Sequence, residues 1–163
     1  MTPEPVSIDP FFVRYVPDRM DARELIAANR YMALATADAA GRPWISPVWF
    51  APDDGGFLWI SRPDSRHSRN LAERPELALV IYDSTVRPAE RQALYVEAVA
   101  EQLDGERRDS AVARFSEHSV ADDLEPLSID AVTESGPFRI YRAAVTAAFM
   151  LEDERDVRTP VEL

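Results

Sequence analysis

The chain has 163 residues, of which 46% are hydrophobic and 29% are charged, and this balance predicts a single soluble globular domain. All 18 basic residues are arginine and stand against 29 acidic ones, so the net charge of -11 argues against binding to nucleic acid or to an anionic membrane. Without cysteine or lysine there is no cysteine nucleophile, thiolate zinc site, lysine Schiff base or P-loop. We therefore expect any chemistry to depend on a bound cofactor.

The amino-terminal residues contain neither the basic region nor the apolar run that is typical of a secretory signal. No stretch approaches the roughly 18 apolar residues that a membrane-spanning helix needs. We therefore expect a cytoplasmic protein. Residues 1–20 contain four prolines and no steady period, and they predict an irregular arm ahead of one domain over residues 21–163.

The first half of the domain predicts a short helix and then an antiparallel meander. The helix spans residues 21–29 and has Asp21 as its N-cap. Glycine-containing turns join three strands, expected at 31–36, 43–51 and 57–61. A second helix is expected at 64–74 and is stopped by Pro75.

The second half predicts more strands than helices. Residues 77–82 form a nearly continuous apolar run, which is typical of a strand inside a sheet and buried on both faces. The remaining elements are a long strand at 92–103, a helix at 104–118, two strands at 138–143 and 146–151, and a short polar tail. Together they predict a mainly β fold, a six- to seven-stranded antiparallel β-barrel with helices packed on it.

The segment 61–74 is unusually basic for this acidic chain, with four arginines and His67 against two acids. A helix normally prefers acidic residues in its first turn, because free N–H groups and the helix dipole make that end positive. A phosphate held by these N–H groups, an arginine and the serines at 61, 65 and 68 would resolve the conflict. The alternative is that Asp64 or Ser65 caps the helix and the arginines point into solvent.

Pro47 interrupts a strand that carries two tryptophans. Because proline has no N–H, it must lie at a sheet edge, at a bulge, or where the backbone faces something other than a neighbouring strand, such as a planar ligand. Trp44, Trp49 and Trp59 fall within 16 residues, and both barrel-core packing and stacking on a ring explain them.

An ordered set of short motifs resembles a known family. In chain order they are Leu34-Ala35-Thr36, Gly41-Arg42-Pro43, Ser46-Pro47-Val48-Trp49-Phe50, Ser65-Arg66-His67-Ser68-Arg69-Asn70-Leu71, Arg91-Gln92, Tyr141-Arg142-Ala143 and Arg158-Thr159-Pro160-Val161. They cover about residues 20–163 and resemble the pyridoxamine 5′-phosphate oxidase-like, FMN-binding split β-barrels, especially their small actinobacterial members. The resemblance implies a split-barrel homodimer that binds FMN.

The resemblance also implies a set of FMN-binding residues. The turn from Ser61 to Asn70 would hold the phosphate, the second strand would lie along the isoalloxazine ring mostly through backbone atoms, and Ile60 would line the ribityl path. Gln92 would come from the partner subunit of the homodimer. The full set is Ser46, Pro47, Val48, Trp49, Ile60, Ser61, Ser65, Arg66, His67 and Gln92.

The chain departs from the pyridoxamine phosphate oxidases themselves at three positions. Those enzymes have an arginine at the position of Ser46, a lysine near Ala51 and a lysine at the position of His67. We therefore predict an FMN-dependent oxidoreductase of another small redox substrate, with no catalytic side chain and no metal site assigned. The open alternatives are an F420-dependent reductase and a non-catalytic flavin- or haem-binding protein, in which His67 or His118 would be the axial ligand.

Overall fold

The computed structural model describes residues 20–87, 90–152 and 157–163. The predicted arm therefore lies outside the described residues except for Met20. The helices are α1 (Ala22–Ala28), α2 (Arg66–Glu73) and α3 (Gly105–Ala121), with a 3₁₀ turn at Ile129–Val132. The strands are β1 (Tyr31–Ala37), β2 (Pro43–Trp49), β3 (Ala51–Asp53), β4 (Gly56–Ser61), β5 (Glu76–Tyr82), β6 (Ala93–Gln102), β7 (Arg139–Glu152) and β8 (Val157–Pro160).

All these strands belong to one antiparallel sheet. Its hydrogen-bonded path runs β2-β1-β5-β6-β7-β4-β3, and β8 pairs with the end of β7. The two ends of this path, β2 and β3, are consecutive in the chain and are separated only by Phe50. The sheet therefore curls until its opposite edges meet at one residue, and the predicted mainly β, antiparallel split barrel is confirmed.

Residues 43–51 were expected to form one strand, and this expectation was wrong. The chain leaves β1 after Trp49 and pairs with β4 from Ala51 onward. Phe50 marks the change because its side chain is fully buried and contacts the ring of Phe57 edge-on, with 5.6 Å between centroids. Burial of this ring fixes the point where the strand changes neighbours.

The two strands expected at 138–143 and 146–151 are a single strand, β7. A β-bulge explains the continuity: Glu97 and Ala98 of β6 pair with Ala147 and Val145, so Thr146 is left without a partner across the ladder. The Thr146 hydroxyl donates to the Glu97 carbonyl over 3.0 Å. The bulge bends the strand without ending it.

Two other expectations differ from the structure. Strand β5 lies inside the sheet, between β1 and β6, but only one of its faces is buried. Leu77, Leu79 and Ile81 face the core, whereas Tyr82 is 49% exposed. The expected polar tail contains the strand β8, which pairs antiparallel with the end of β7.

Two hydrophobic clusters position the helices. The larger one fills the barrel and includes Leu34, Phe50, Trp59 and Ile81. The second lies between the sheet and α3, and it includes Phe115. Because Trp49 and Ile60 pack against this second cluster, α3 lies beside the ends of β2 and β4.

Candidate cofactor site

An open pocket of about 720 Å³ lies where β2, the end of β4 and the start of α2 face α3 and the loop that follows it. This volume is within the range of about 300–1,000 Å³ found for small-molecule sites. Seven residues predicted from the sequence line it: Pro47, Val48, Trp49, Ile60, Ser61, Ser65 and His67. Pro47 lies on an edge strand, as its missing N–H predicts.

One end of the pocket is polar and is built around the first turn of α2. Ser65 is the N-cap, and its side chain accepts the backbone N–H of Ser68. The Ser61 hydroxyl lies 3.1 Å from the Ser65 hydroxyl and 2.7 Å from Nε2 of His67. The first N–H groups of a helix have no intrahelical acceptor, so this end presents hydroxyls and partial positive charge together.

His67 is buried at this polar end and is held from both sides. Its Nδ1 atom lies 3.2 Å from the Ser46 hydroxyl, opposite the contact between Nε2 and Ser61. Burial lowers the pKa of His67 below its ordinary value, so the ring is neutral at neutral pH. The site therefore offers hydrogen-bond donors here without a full positive charge.

The arginines of the basic segment take different positions. Arg62 lines the pocket and pairs with Asp64, with 3.1 Å between Nε and Oδ1. This guanidinium holds the pKa of the Asp64 carboxyl below its usual value. Arg66 lies outside the lining, with its guanidinium 4.4 Å above the ring of Trp44. Arg62 is thus the arginine that the fold brings to the pocket, and direct phosphate binding by Arg66 stays a prediction.

The opposite wall of the pocket is aromatic. Trp49 contacts Phe115 of α3 edge-on, with 4.7 Å between ring centroids. Its indole Nε1 is buried and has no hydrogen-bond partner in the described part of the chain. His118 lies against Trp49 at 5.3 Å, but it lines a separate cavity of about 520 Å³.

Part of the pocket lining was not predicted from the sequence. Tyr31, Phe115 and Phe138 come from three distant segments, and the loop 124–128 covers one side of the pocket. None of these positions carries a motif, since each is an ordinary apolar or loop position until the fold brings it to the pocket. The acidic character of residues 101–135 gives no sign that Phe115 faces a ligand site.

Two further predicted residues lie outside the pocket lining. Ser46 is beside the pocket, behind His67, and its hydroxyl accepts the indole N–H of Trp44 over 3.0 Å. The Gln92 side chain bonds the backbone of Met20 twice, accepting its N–H at 3.2 Å and donating to its carbonyl at 3.1 Å. The contribution of Gln92 to a partner's site therefore stays a prediction.

The described residues contain neither a metal-binding cluster nor a membrane-spanning helix. They contain no group of three or more histidine or acidic residues placed to hold a metal ion. None of their helices is both long enough and apolar enough to cross a bilayer.

Comparison with known proteins identifies the family. The family model described as pyridoxamine 5′-phosphate oxidase matches residues 20–152. The chain belongs to this family. The ordered motifs and the split barrel had indicated the same assignment.

Two curated relatives match parts of the chain. The heme oxygenase HutZ of Vibrio cholerae is 28% identical over 93 residues, which cover 55% of this chain and 51% of that protein. A pyridoxine/pyridoxamine 5′-phosphate oxidase of Paraburkholderia phymatum is 35% identical over 80 residues, which cover 47% of this chain and 37% of that enzyme. The chain thus spans about half or less of the length of these relatives.

Solved structures support the fold. The crystal structure of HutZ, described as a heme storage protein from Vibrio cholerae, has a TM-score of 0.61 at 24% identity and covers 78% of this chain and 89% of its own. A FAD-binding protein from Mesorhizobium loti has a TM-score of 0.57 at 21% identity and covers 80% and 94%. An F420 reductase has a TM-score of 0.53 at 21% identity and covers 72% and 87%. At these identities the likeness establishes the shared split barrel.

Proposed function

We propose that the chain binds FMN in the pocket between β2, β4, α2 and α3 and acts as a flavin-dependent oxidoreductase on a small redox substrate. The observation that carries this proposal is the polarity of the pocket. Ser61, Ser65 and His67 form a donor-rich end, and Trp49 and Phe115 form an aromatic wall. A phosphate linked to a planar ring matches both ends of such a pocket.

The polar end suits the phosphate. The hydroxyls of Ser61 and Ser65 lie at the N-terminus of α2, and Arg62 adds a charged donor to the lining. Hydrogen bonds to a charged phosphate are stronger than those between neutral groups. The side chains at this end would hold the phosphate and so orient the rest of the cofactor.

The edge of β2 suits the ring. This strand pairs with β1 on one side, and its other edge has no partner strand among the described residues. Every second residue of an unpaired edge presents free N–H and C=O groups, which are available to the heteroatoms of a ring. FMN itself would supply hydride or electron transfer, and this chain would bind, orient and shield it.

The positions of the two histidines support haem binding less well than FMN binding. Both ring nitrogens of His67 lie within hydrogen-bonding distance of serine hydroxyls, and His118 lines the other cavity. The chain holds only these two histidines and no cysteine. Neither imidazole presents a free nitrogen to the pocket, so the residues described there offer no histidine as an axial ligand of haem iron.

Titration of the purified protein with FMN, riboflavin, F420 and haem tests the proposal. We expect FMN to bind more tightly than riboflavin, because riboflavin lacks the phosphate. NADH or NADPH should then reduce the bound flavin, and air should reoxidise it. Tighter binding of F420 than of FMN would assign the deazaflavin alternative, and binding of haem alone would refute the proposal.

The variant Arg62→Ala should weaken FMN binding by about 1.5 kcal/mol, close to tenfold in Kd, because it removes a charged donor from the lining. Riboflavin affinity should not change. Arg69→Ala is the matched control, because Arg69 is an exposed arginine of α2 whose guanidinium donates to the Asp64 carbonyl outside the lining. Equal losses in both variants would show that only the general charge of the helix matters.

A further inference from the structure

A series of hydrogen bonds connects the protein surface to the polar end of the pocket. Trp44 is 40% exposed, and its indole Nε1 donates to the Ser46 hydroxyl over 3.0 Å. Ser46 in turn contacts Nδ1 of His67, whose Nε2 contacts Ser61. Trp44 and Ser46 lie outside the lining, whereas His67 and Ser61 belong to it. Two residues outside the pocket are therefore linked by hydrogen bonds to an imidazole inside it.

The direction of each hydrogen bond follows from counting hydrogens. Ser65 donates its only hydroxyl hydrogen to Ser68 over 2.9 Å, so in the Ser61–Ser65 contact Ser61 is the donor. The Ser61 oxygen then accepts from His67, which places a hydrogen on Nε2. Because burial lowers the pKa of His67, the ring is neutral and Nδ1 is bare.

The hydrogen bonds at the Trp44 end are compatible with this direction. The Ser46 oxygen accepts the Trp44 N–H, which leaves its own hydrogen free to donate to the bare Nδ1. The Arg66 guanidinium lies over the Trp44 ring and draws electron density from it, so the indole N–H becomes a stronger donor. All donors point from Trp44 toward Ser68, and hydrogen bonds aligned in this way strengthen one another.

We propose that Trp44 and Ser46 are positioning residues that hold His67 in its Nε2–H tautomer, so that the imidazole does not take the Ser61 hydrogen and this hydrogen can turn from Ser65 to an anionic group in the pocket. In the opposite tautomer, Ser61 would give its only hydrogen to Nε2, and the anion would lose a donor. The identity of the anion, the FMN phosphate, rests on the proposed function. The tautomer is a property of the free protein.

The tautomer is tested by nitrogen NMR on protein labelled at histidine. The chain has only two histidines, and His118→Gln assigns their signals. The wild type should show a neutral ring with hydrogen on Nε2 at neutral pH. Ser46→Ala should shift the ring toward the Nδ1–H form, and Ser46→Thr, which retains a hydroxyl, should restore it. An Nδ1–H ring in the wild type, or no change in Ser46→Ala, would overturn the proposal.

Ligand titration tests the consequence for the anion. Ser46→Ala should weaken FMN binding about tenfold, the effect of one lost hydrogen bond to a charged group, and leave riboflavin affinity unchanged. Trp44→Phe should have a smaller effect in the same direction. Unchanged FMN affinity would contradict the proposed role. Equal losses for FMN and riboflavin would also contradict it, because they would indicate that Ser46 contacts the ring.

Failure of the proposed function can be distinguished from failure of the positioning role. If the wild type binds no flavin, that function fails, and inorganic phosphate followed through the His67 signals replaces FMN as the probe. Weaker phosphate binding in Ser46→Ala than in Ser46→Thr would then support the positioning role. Equal phosphate binding in the two variants would overturn it.

Discussion

At the scale of single residues, the polar end of the pocket was predictable because its parts are close in sequence. Ser61, Ser65 and His67 fall within one strand end and one helical turn, so local rules for helix N-termini bring them together. The arginines were harder to place. Arg62 and Arg66 differ little in the sequence, yet one lines the pocket and the other lies over Trp44, since the tertiary position of β2 decides the difference.

Acid should destabilise the protein through His67. Burial lowers the pKa of His67 below its ordinary value of 6.5, so the unfolded chain binds this proton more tightly than the folded one. The free energy of unfolding should therefore fall as the pH drops below about 6.5 toward the folded pKa, and this contribution should be constant at higher pH.

Urea unfolding at several pH values measures this dependence. His67→Gln should flatten the fall in stability between about pH 6.5 and the folded pKa. His118→Gln, which leaves His67 in place, should retain the slope of the wild type. A wild-type slope in His67→Gln would assign the acid sensitivity to other groups.

At the scale of elements, the sequence predicts where strands occur better than where they change neighbours. Periodicity located the strand β1 and the helix α3 to within a few residues. It could not show that Phe50 divides one extended segment between two edges of the sheet, or that a bulge at Thr146 joins two expected strands. Both features depend on the partner strand, and local composition carries no information about the partner.

The hairpin between β3 and β4 contains a glycine that packing requires. A Cβ atom on Gly56 would lie 2.3 Å from the backbone carbonyl oxygen of Ala143 on β7. Gly56→Ala should therefore lower the free energy of unfolding by about 1–3 kcal/mol, the cost of overpacking. Urea denaturation monitored by circular dichroism measures this loss.

The neighbouring glycine provides the control for this prediction. Gly55 has φ +63 and open space around its Cβ position, and asparagine tolerates that backbone conformation. Gly55→Asn should change stability by about 0.5 kcal/mol or less. A larger loss in Gly55→Asn than in Gly56→Ala would mean that turn conformation, not the close approach to β7, limits this hairpin.

At the scale of the whole molecule, the outer face of the sheet is apolar beside the pocket. On β1, Met32 and Leu34 point inward, and Ala33 and Ala35 lie on the outer face. Ile45 of β2 is 62% exposed and pairs with Ala35. Because Tyr31 is 61% exposed and also lines the pocket, a second copy on this face would cover the open side of the site.

We therefore expect a homodimer whose interface includes this face. Ile45→Glu should yield a monomer in sedimentation velocity, because an unpaired carboxylate would be buried between the subunits. The same variant should bind FMN more weakly. Ala113→Glu, which places the same charge on an exposed position of α3, should remain dimeric. A monomeric wild type would refute the expectation.

The three tryptophans lie at three depths in the protein. Trp59 is 0% exposed and stacks on Tyr141, Trp49 lines the pocket, and Trp44 is 40% exposed. The fluorescence of each tryptophan therefore reports a different event. Occupancy of the pocket should quench Trp49, loss of the Arg66 contact should alter Trp44, and only global unfolding should bring Trp59 into water, so single-tryptophan variants would follow ligand capture and denaturation without an added dye.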